Sequence, residues 1–296
     1  MHTILRSATR EIKIGIDRPF VIIGEKINPT GHKKLAAALV ENNFEYIRYL
    51  VERQVNWGAE VLDVNVGVPG LDEVAMIPRL VDFISSLSEA PLCLDSGNPL
   101  VLEAGLAAAK GKPLVNSVSG EEKRLNTILP IVRDRGAAVI GLTMDDNGIP
   151  ATAEERMAVA EKILERAARI GIPAEDVIID PLVLTVGSDS KAAFITLQTI
   201  ELVRKEFGVN VNLGASNVSF GLPDRLTINQ AFLSLAMQAG ATCSITDPAK
   251  LGATIKATDL LLSRDENSIR YLKYFRASEK LRAREAEESA VLQSKQ

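Results

Sequence analysis

Short apolar runs alternate along the chain with longer amphipathic stretches. The apolar runs are rich in β-branched residues and predict eight strands, at 20–24, 61–66, 91–94, 113–116, 137–143, 177–180, 209–213 and 241–246. The stretches between them have a helical period, for example at 34–56, 121–135, 152–170 and 190–207. Repeated strand–helix units of this kind are typical of a (β/α)₈ TIM barrel of roughly 250 residues. We therefore predict a single-domain α/β protein with this fold.

The limits of the predicted barrel are the points where this alternation starts and stops. Residues 20–275 form the barrel, residues 1–19 an N-terminal extension, and residues 276–296 a charged C-terminal tail that is either a solvated helix or a frayed terminus. A doubly wound open sheet is the competing fold. It normally has a Gly-rich turn after its first strand, and the chain contains no GxGxxG motif.

Composition narrows the class of protein. The 296 residues are 46% hydrophobic, which excludes disorder for most of the chain, and a net charge of −4 argues against nucleic acid as a partner. No apolar run reaches the roughly 18 residues of a membrane span, and the N-terminus lacks a secretory core. The two cysteines, Cys93 and Cys243, fit a reducing compartment. These features predict a cytoplasmic globular protein without a membrane partner.

The predicted strand ends are rich in carboxylates and amides. In a parallel barrel the active site lies at the carboxyl ends of the strands. These ends bring Glu25, Asn28, Asp63, Asn65, Asp95, Asn116, Asp145, Asp180, Ser216, Asn217 and Asp247 together, with Lys26 as the notable cation. A phosphate cradle, a zinc site and a Ser or Cys triad all lack the residues they require, so we assign no metal to the chain.

What remains is a pocket of hydrogen-bonding groups for an uncharged, flat, polar heterocycle. A carboxylate can accept two parallel N–H bonds from an amidine-like edge, and the pterin ring presents such an edge. An asparagine side chain offers both a donor and an acceptor to the neighbouring ring atoms. Two Asp and one or two Asn on separate strands therefore suit a pterin. Asp and Asn at these positions could equally cap helices or form turns.

The strand-end motifs, taken in order, resemble those of a known family. They are Gly24-Glu25-Lys26-Ile27-Asn28, Leu62-Asp63-Val64-Asn65-Val66-Gly67, Leu92-Cys93-Leu94-Asp95-Ser96, Asn116-Ser117, Ile140-Gly141-Leu142-Thr143-Met144, Ile179-Asp180-Pro181-Leu182 and Gly214-Ala215-Ser216-Asn217-Val218-Ser219-Phe220-Gly221. Over about residues 20–275 the chain resembles the pterin-binding methyltransferases that act with corrinoid proteins. That family includes methyltetrahydrofolate:corrinoid/iron-sulfur protein methyltransferase and the tetrahydrofolate methyltransferases of anaerobic demethylation systems.

The resemblance implies a homodimeric barrel that binds folate at its mouth. The family's pterin-anchoring residues fall on Asp95, Asn116 and Asp180, and its amide that reaches N5 of the pterin falls on Asn217. Asp63 matches a carboxylate of the polar network beneath the ring, and Arg225 matches an arginine near the outer portion of the folate. Further candidates with weaker support are Glu25, Asn28, Met144 and Ser216.

The activity implied is methyl transfer between N5 of tetrahydrofolate, or 5-methyltetrahydrofolate, and the cobalt of a corrinoid carried by a partner protein. Asn217 would stabilise the charge that develops on N5, and the direction of transfer stays open. Two alternatives compete. A dihydropteroate synthase would need basic residues for a diphosphate leaving group near strands 7 and 8, which end here in Ser216-Asn217 and Thr246-Asp247. The other is a folate-binding subunit without catalytic activity.

Overall fold

A parallel sheet forms the centre of the fold in the computed structural model, which describes residues 1–293 and their side chains as far as residue 287. The strands are β1 (Thr3–Arg6), β2 (Glu11–Ile14), β3 (Val21–Ile27), β4 (Val61–Val64), β5 (Leu92–Asp95), β6 (Leu114–Ser119), β7 (Ala138–Leu142), β8 (Val177–Asp180) and β9 (Cys243–Thr246). Strands β3 to β9 form one 7-stranded sheet in the order β8-β7-β6-β5-β4-β3-β9. Every recorded pairing in it is parallel, as expected for strands joined by helical crossovers.

The segment 209–213 closes the ring between β8 and β9. On one side the Ile179 N–H donates to the Asn210 carbonyl at 2.9 Å, and on the other the Ile245 N–H donates to the Leu213 carbonyl at 2.9 Å. This segment was predicted as a regular strand, but it forms only an isolated parallel bridge between Ile179 and Val211. The predicted (β/α)₈ barrel is confirmed as the fold.

Helices surround the barrel. They are α1 (Lys33–Val40), α2 (Phe44–Asn56), α3 (Glu73–Leu87), α4 (Pro99–Ala108), α5 (Glu122–Arg135), α6 (Ala153–Arg169), α7 (Ala192–Phe207), α8 (Arg225–Ala239), α9 (Pro248–Leu261) and α10 (Ile269–Gln293). The helix predicted over 34–56 is in fact two helices, α1 and α2. The two helices are separated at Asn42, whose φ of 55° lies in the left-handed region. Asparagine adopts this conformation more readily than most residues.

A β-hairpin closes the N-terminal end of the barrel. Strands β1 and β2 pair antiparallel, and their Leu5, Ile12 and Ile14 side chains join the apolar cluster inside the barrel. The Asn210 side chain donates to the Thr3 hydroxyl at 2.9 Å and to the Ile14 carbonyl at 3.0 Å, which fixes the hairpin to the ring. Residues 1–19, predicted as an extension, therefore contain the plug of the barrel base.

Helix α10 runs through the predicted start of the C-terminal tail at residue 276. Its Glu285 carboxylate accepts hydrogen bonds at 2.9 Å from Arg53 and from the Trp57 indole, so the charged helix is packed against α2. Residues 294–296 of the predicted tail lie outside the described residues. Within residues 1–293, no helix is both long enough and apolar enough to cross a membrane.

Candidate active site at the barrel mouth

A cleft of about 480 Å³ opens at the carboxyl ends of the strands. Its lining is Glu25, Lys26, Asn28, Thr30, Gly31, His32, Asp63, Asp95, Asn116, Gly214, Ser216, Asn217 and Ile245. The strand-end residues of β3, β4, β5 and β6 therefore meet the loop that follows segment 209–213 across one cavity. This is the convergence that a parallel barrel predicts for residues far apart in sequence.

Asp95, at the end of β5, is held by two amides. Its Oδ2 accepts from Asn28 Nδ2 at 3.2 Å and from Asn65 Nδ2 at 3.0 Å. Each amide is itself oriented by the backbone, because Asn28 Oδ1 accepts from the Thr30 N–H and Asn65 Oδ1 accepts from the Gly67 N–H. The carboxylate is thus fixed in direction before any ligand arrives. Such preorganisation is the property expected of an anchoring group.

Asp63 lies deeper in the mouth, on β4, and is 2% exposed. Its Oδ1 accepts from Asn116 Nδ2 at 3.2 Å. Burial, and then the charge of Asp95, raise the pKa of Asp63 to about 8 despite this bond. Burial also raises the pKa of Asp95. At neutral pH the Asp63–Asp95 pair therefore retains a proton.

Asp180, at the end of β8, is a second buried carboxylate. Its Oδ2 accepts from Asn212 Nδ2 and its Oδ1 from the Leu182 N–H, both at 2.8 Å. Burial raises its pKa to about 6, while these bonds and the nearby Arg156 lower it. The Arg156 guanidinium itself donates to the Pro181 and Leu182 carbonyls at 2.9 Å and so holds the turn after β8.

Lys26 is neutralised by two carboxylates. Its Nζ lies 3.0 Å from Glu25 Oε1 and 3.1 Å from Asp247 Oδ2. Burial lowers the pKa of Lys26, but Glu25 and Asp247 outweigh this and the pKa is raised. Asp247 also caps α9, because its Oδ1 accepts from the Ala249 N–H. The lysine therefore ties β3 to the end of β9.

The opposite wall is the loop after segment 209–213, which contains a short 3₁₀ helix, Ala215–Ser219. Asn217 is exposed there, and its side chain makes no hydrogen bond to any residue that the structure describes. Arg225 Nη2 donates to the Ser216 carbonyl at 2.7 Å, and Nε donates to Ser219 Oγ at 3.1 Å. The guanidinium also lies 5.6 Å from the centre of the Phe220 ring. Arg225 therefore braces the loop that carries Asn217.

Most of the predicted site residues line the cleft, and three do not. Asp180 is buried behind the lining with Asn212, and Arg225 stands outside it at the start of α8. Met144 is half-buried in the loop after β7, where its backbone carbonyl accepts from the Gly120 N–H at 2.7 Å. The sequence reasoning predicts these three as site residues, but the structure does not place their side chains in the cleft.

Two asparagines orient carboxylates of the site without having been predicted as site residues. Asn65 orients Asp95, and Asn212 orients Asp180. Asn65 was predicted at a strand end but was given no role. It lies two residues after Asp63, just past the end of β4, a spacing that places both side chains on the same face of an extended chain.

The comparisons with known proteins agree with this geometry. A model of the family described as pterin binding enzyme matches residues 24–247, a range that begins within β3 and extends just past β9. The chain belongs to this family of pterin-binding enzymes.

Relatives in sequence include methyltransferases. The chain is 33% identical over 265 residues to the methylcorrinoid:tetrahydrofolate methyltransferase of Eubacterium limosum, a match that covers 86% of this chain and 96% of the relative. It is 30% identical over 248 residues to methionine synthase of Mycobacterium tuberculosis, covering 79% of this chain but 21% of that much longer protein.

Solved structures with the same fold include dihydropteroate synthases. The enzyme from Xanthomonas albilineans, in complex with 7,8-dihydropteroate, gives a TM-score of 0.65 at 22% identity, covering 88% of this chain and 99% of that one. The enzyme from Yersinia pestis gives 0.66 at 16% identity, covering 89% and 100%. At this level of identity the likeness concerns the fold alone.

Proposed function

We propose that this pterin-binding enzyme is a methyltransferase that moves a methyl group between N5 of tetrahydrofolate and the cobalt of a corrinoid carried by a partner protein. The observation that carries the proposal is the arrangement of the cleft, in which carboxylates held by amides face Asn217, whose amide has no partner within the described side chains. The 33% identity to a methylcorrinoid:tetrahydrofolate methyltransferase, across nearly all of that relative, supports the same assignment.

The proposal assigns recognition of the pterin to the carboxylate side of the mouth. Asp95 Oδ2 is engaged by Asn28 and Asn65, so Oδ1 is the oxygen directed to the ligand. Asn116 shares its amide between Asp63 and the ring, whereas Asp180 lies behind the lining, where Asn212 and the Leu182 N–H hold both of its oxygens. Carboxylates accept the paired N–H groups of the pterin, and amides match both its donors and its acceptors.

Chemistry takes place at the Asn217 side. Co(I) of the corrinoid attacks the methyl carbon of 5-methyltetrahydrofolate in line, the C–N5 bond breaks, and its electron pair returns to N5. A proton or strong hydrogen bond on N5 makes it a better leaving group. Asn217 supplies such a bond without donating a proton, and a donor preorganised in this way typically contributes about 10²-fold or more to the rate. In the reverse direction N5 attacks the methyl carbon on cobalt and then loses its proton.

The same proposal includes the homodimer, the corrinoid protein as partner and the cytoplasmic location that the resemblance and the composition predict. The corrinoid protein has to approach the mouth, because the methyl group passes directly from one substrate to the other. Sedimentation equilibrium of the purified chain tests the dimer: a mass of one chain of 32.0 kDa contradicts it.

Anaerobic spectroscopy tests the reaction. Cob(I)alamin is mixed with 5-methyltetrahydrofolate and enzyme, and methylcobalamin is mixed with tetrahydrofolate and enzyme in a parallel assay. Enzyme-dependent loss of the Co(I) band in the first, or its gain in the second, is expected, and the two rates indicate the working direction. If neither assay shows turnover, even with several corrinoid proteins as acceptors, while folate still binds, the chain is a binding subunit and the proposal is wrong.

A further inference from the structure

A second cavity, of about 860 Å³, adjoins the mouth. It lies between α1, α2 and the later part of α10, and we call it the rim groove. Lys26 and His32 line both the cleft and the rim groove, so the two cavities share a wall. The rim groove is therefore the cavity next to the cleft, on the other side of the Lys26 and His32 side chains.

One side of the rim groove is aromatic. The rings of Tyr46 and Tyr49 stack with their centres 6.1 Å apart and their planes at 18°. Tyr49 is 50% exposed, which leaves much of this surface available. Lys34 Nζ lies 4.2 Å from the centre of the Tyr46 ring. Aromatic rings and a cation side by side suit a ligand that combines an aromatic group with a negative charge.

Lys34 is the cation available to such a ligand. The other charged residues of the groove have opposite partners: Arg53 with Glu285 at 2.9 Å, Glu45 with Arg48 at 3.2 Å, and Lys26 with Glu25 at 3.0 Å and Asp247 at 3.1 Å. Among the described residues, no carboxylate lies within ion-pairing distance of Lys34. A carboxylate entering the groove therefore meets one lysine whose charge is not already offset.

The wall beneath contains an unsatisfied donor. Gln54 lines the rim groove and is 1% exposed. Its Oε1 accepts from the Lys26 N–H at 2.8 Å, but its Nε2 has no hydrogen-bond partner among the described residues. The nitrogen is itself buried, so Gln54 forms part of the wall of the groove and offers no donor to its interior.

We propose that the rim groove binds the p-aminobenzoyl-glutamate portion of the folate, with the benzoyl ring along Tyr46 and Tyr49 and a glutamate carboxylate at Lys34. The proposal rests on the folate substrate proposed above. It differs from what the family resemblance implies, which places the outer portion of the folate near Arg225. Two nitrogens of Arg225 are already bonded within its own loop, whereas Lys34 Nζ lies over the Tyr46 ring and forms no hydrogen bond to any residue whose side chain the structure describes.

The test compares two ligands and three variants of the full chain. The ligands are tetrahydrofolate and 6-methyltetrahydropterin, which has the same reduced ring system but no p-aminobenzoyl-glutamate. The variants are Lys34→Ala, Arg225→Ala and the matched control Lys33→Ala, which removes a neighbouring exposed lysine of α1 that does not line the groove. Dissociation constants are measured anaerobically by calorimetry at low and high salt.

Lys34→Ala is expected to weaken tetrahydrofolate binding about fivefold at low salt, as is typical for one exposed ion pair, and to leave binding of the tail-less pterin unchanged. Lys33→Ala is expected to change neither. The proposal is overturned if Lys34→Ala leaves tetrahydrofolate binding unchanged, if it weakens both ligands equally, or if only Arg225→Ala removes the advantage of the tail.

These outcomes are separate from the outcome for the proposed function. Binding of 6-methyltetrahydropterin to the unaltered chain depends on the cleft alone. If that pterin binds and the Lys34 effect is absent, the groove assignment fails while the function stands. If the unaltered chain binds neither ligand, both proposals fail.

Discussion

The two sides of the barrel mouth are built in opposite ways. On the carboxylate side, Asp63 and Asp95 are held by three amides that are themselves fixed by strands or by backbone bonds. On the loop side, Asn217 is exposed on a 3₁₀ helix and its amide has no partner among the described residues. The hydrogen bonds of the carboxylate side hold its own side chains in place, whereas the loop side leaves the Asn217 amide available to a ligand.

This difference separates binding from chemistry. A group that anchors a ring gains from being fixed beforehand, because the ligand then does not have to order it. A group that stabilises developing charge at N5 contributes most when its bond strengthens in the transition state. We therefore expect substitutions on the carboxylate side to change affinity, and substitutions on the loop side to change the rate.

The largest effect is expected from Asp95→Asn. It removes the charge that the pterin N–H groups would meet, and two charge-assisted bonds correspond to about 300-fold in the dissociation constant of 6-methyltetrahydropterin. Asp146→Asn, at an exposed carboxylate outside the cleft, serves as the control and should bind normally. Normal affinity of Asp95→Asn, with an intact fold by circular dichroism, would contradict the anchoring role.

Asn217→Ala should reduce turnover about 100-fold while the dissociation constant of tetrahydrofolate changes by less than about threefold. Single-turnover methyl transfer to cob(I)alamin measures the first quantity, and calorimetry measures the second. Asn147→Ala removes another exposed amide, in the loop after β7, and is expected to retain full activity. Undiminished turnover in Asn217→Ala would remove Asn217 from the mechanism.

Asp63→Asn is expected to alter how stability depends on pH. In the folded protein the pKa of Asp63 is about 8, against an ordinary value near 4, so between these values the native state holds a proton that the unfolded state has lost. The free energy of unfolding therefore falls as pH rises through this window. We expect Asp63→Asn to gain on the order of 2 kcal/mol relative to the unaltered protein between about pH 6 and pH 7.5. Urea unfolding at both pH values measures this, and parallel profiles would show that Asp63 is ionised throughout.

The smallest effect is expected from Arg225→Ala. Losing the bonds to the Ser216 carbonyl and Ser219 Oγ loosens the loop that holds Asn217, and turnover should fall about tenfold. A positioning role predicts the same loss with full-length folate and with a methylated pterin that lacks the tail. A loss confined to full-length folate would instead place Arg225 in contact with the tail.

The sequence was sufficient for the fold and for most of the site. Strand periodicity gave the barrel, and a parallel barrel collects its strand ends at one mouth. The sequence alone therefore places Asp63, Asp95 and Asn116 together, and they line one cleft. Asp180 also belongs to this layer but lies behind the lining, since which strand-end side chains reach the cavity depends on local burial.

The roles of the β1–β2 hairpin and of α10 could not be predicted from the pattern of hydrophobic and polar residues. The hairpin of β1 and β2 has only 4 residues in each strand, and its apolar side chains are recognisable as core only once they meet the barrel interior. The charged sequence of α10 predicts a solvent-exposed helix. In the structure, however, Glu285 accepts hydrogen bonds from Arg53 of α2 and from Trp57, the residue that follows α2. The contacts of Glu285 join residues more than two hundred positions apart, and local periodicity contains no information about them.

The sequence by itself determined the residue types at each strand end, and with them the chemistry of the mouth, because a parallel barrel converts strand order into proximity. Only the tertiary structure decided which of those residues are protonated, which charges are paired and which side chains keep a hydrogen-bonding group available. The surroundings of Asp63 raise its pKa to about 8, Glu25 and Asp247 neutralise Lys26, and the Asn217 side chain has no hydrogen-bond partner in the part of the chain that the structure describes. Charge, burial and hydrogen bonding depend on distances between elements, and those distances exist only in the folded chain.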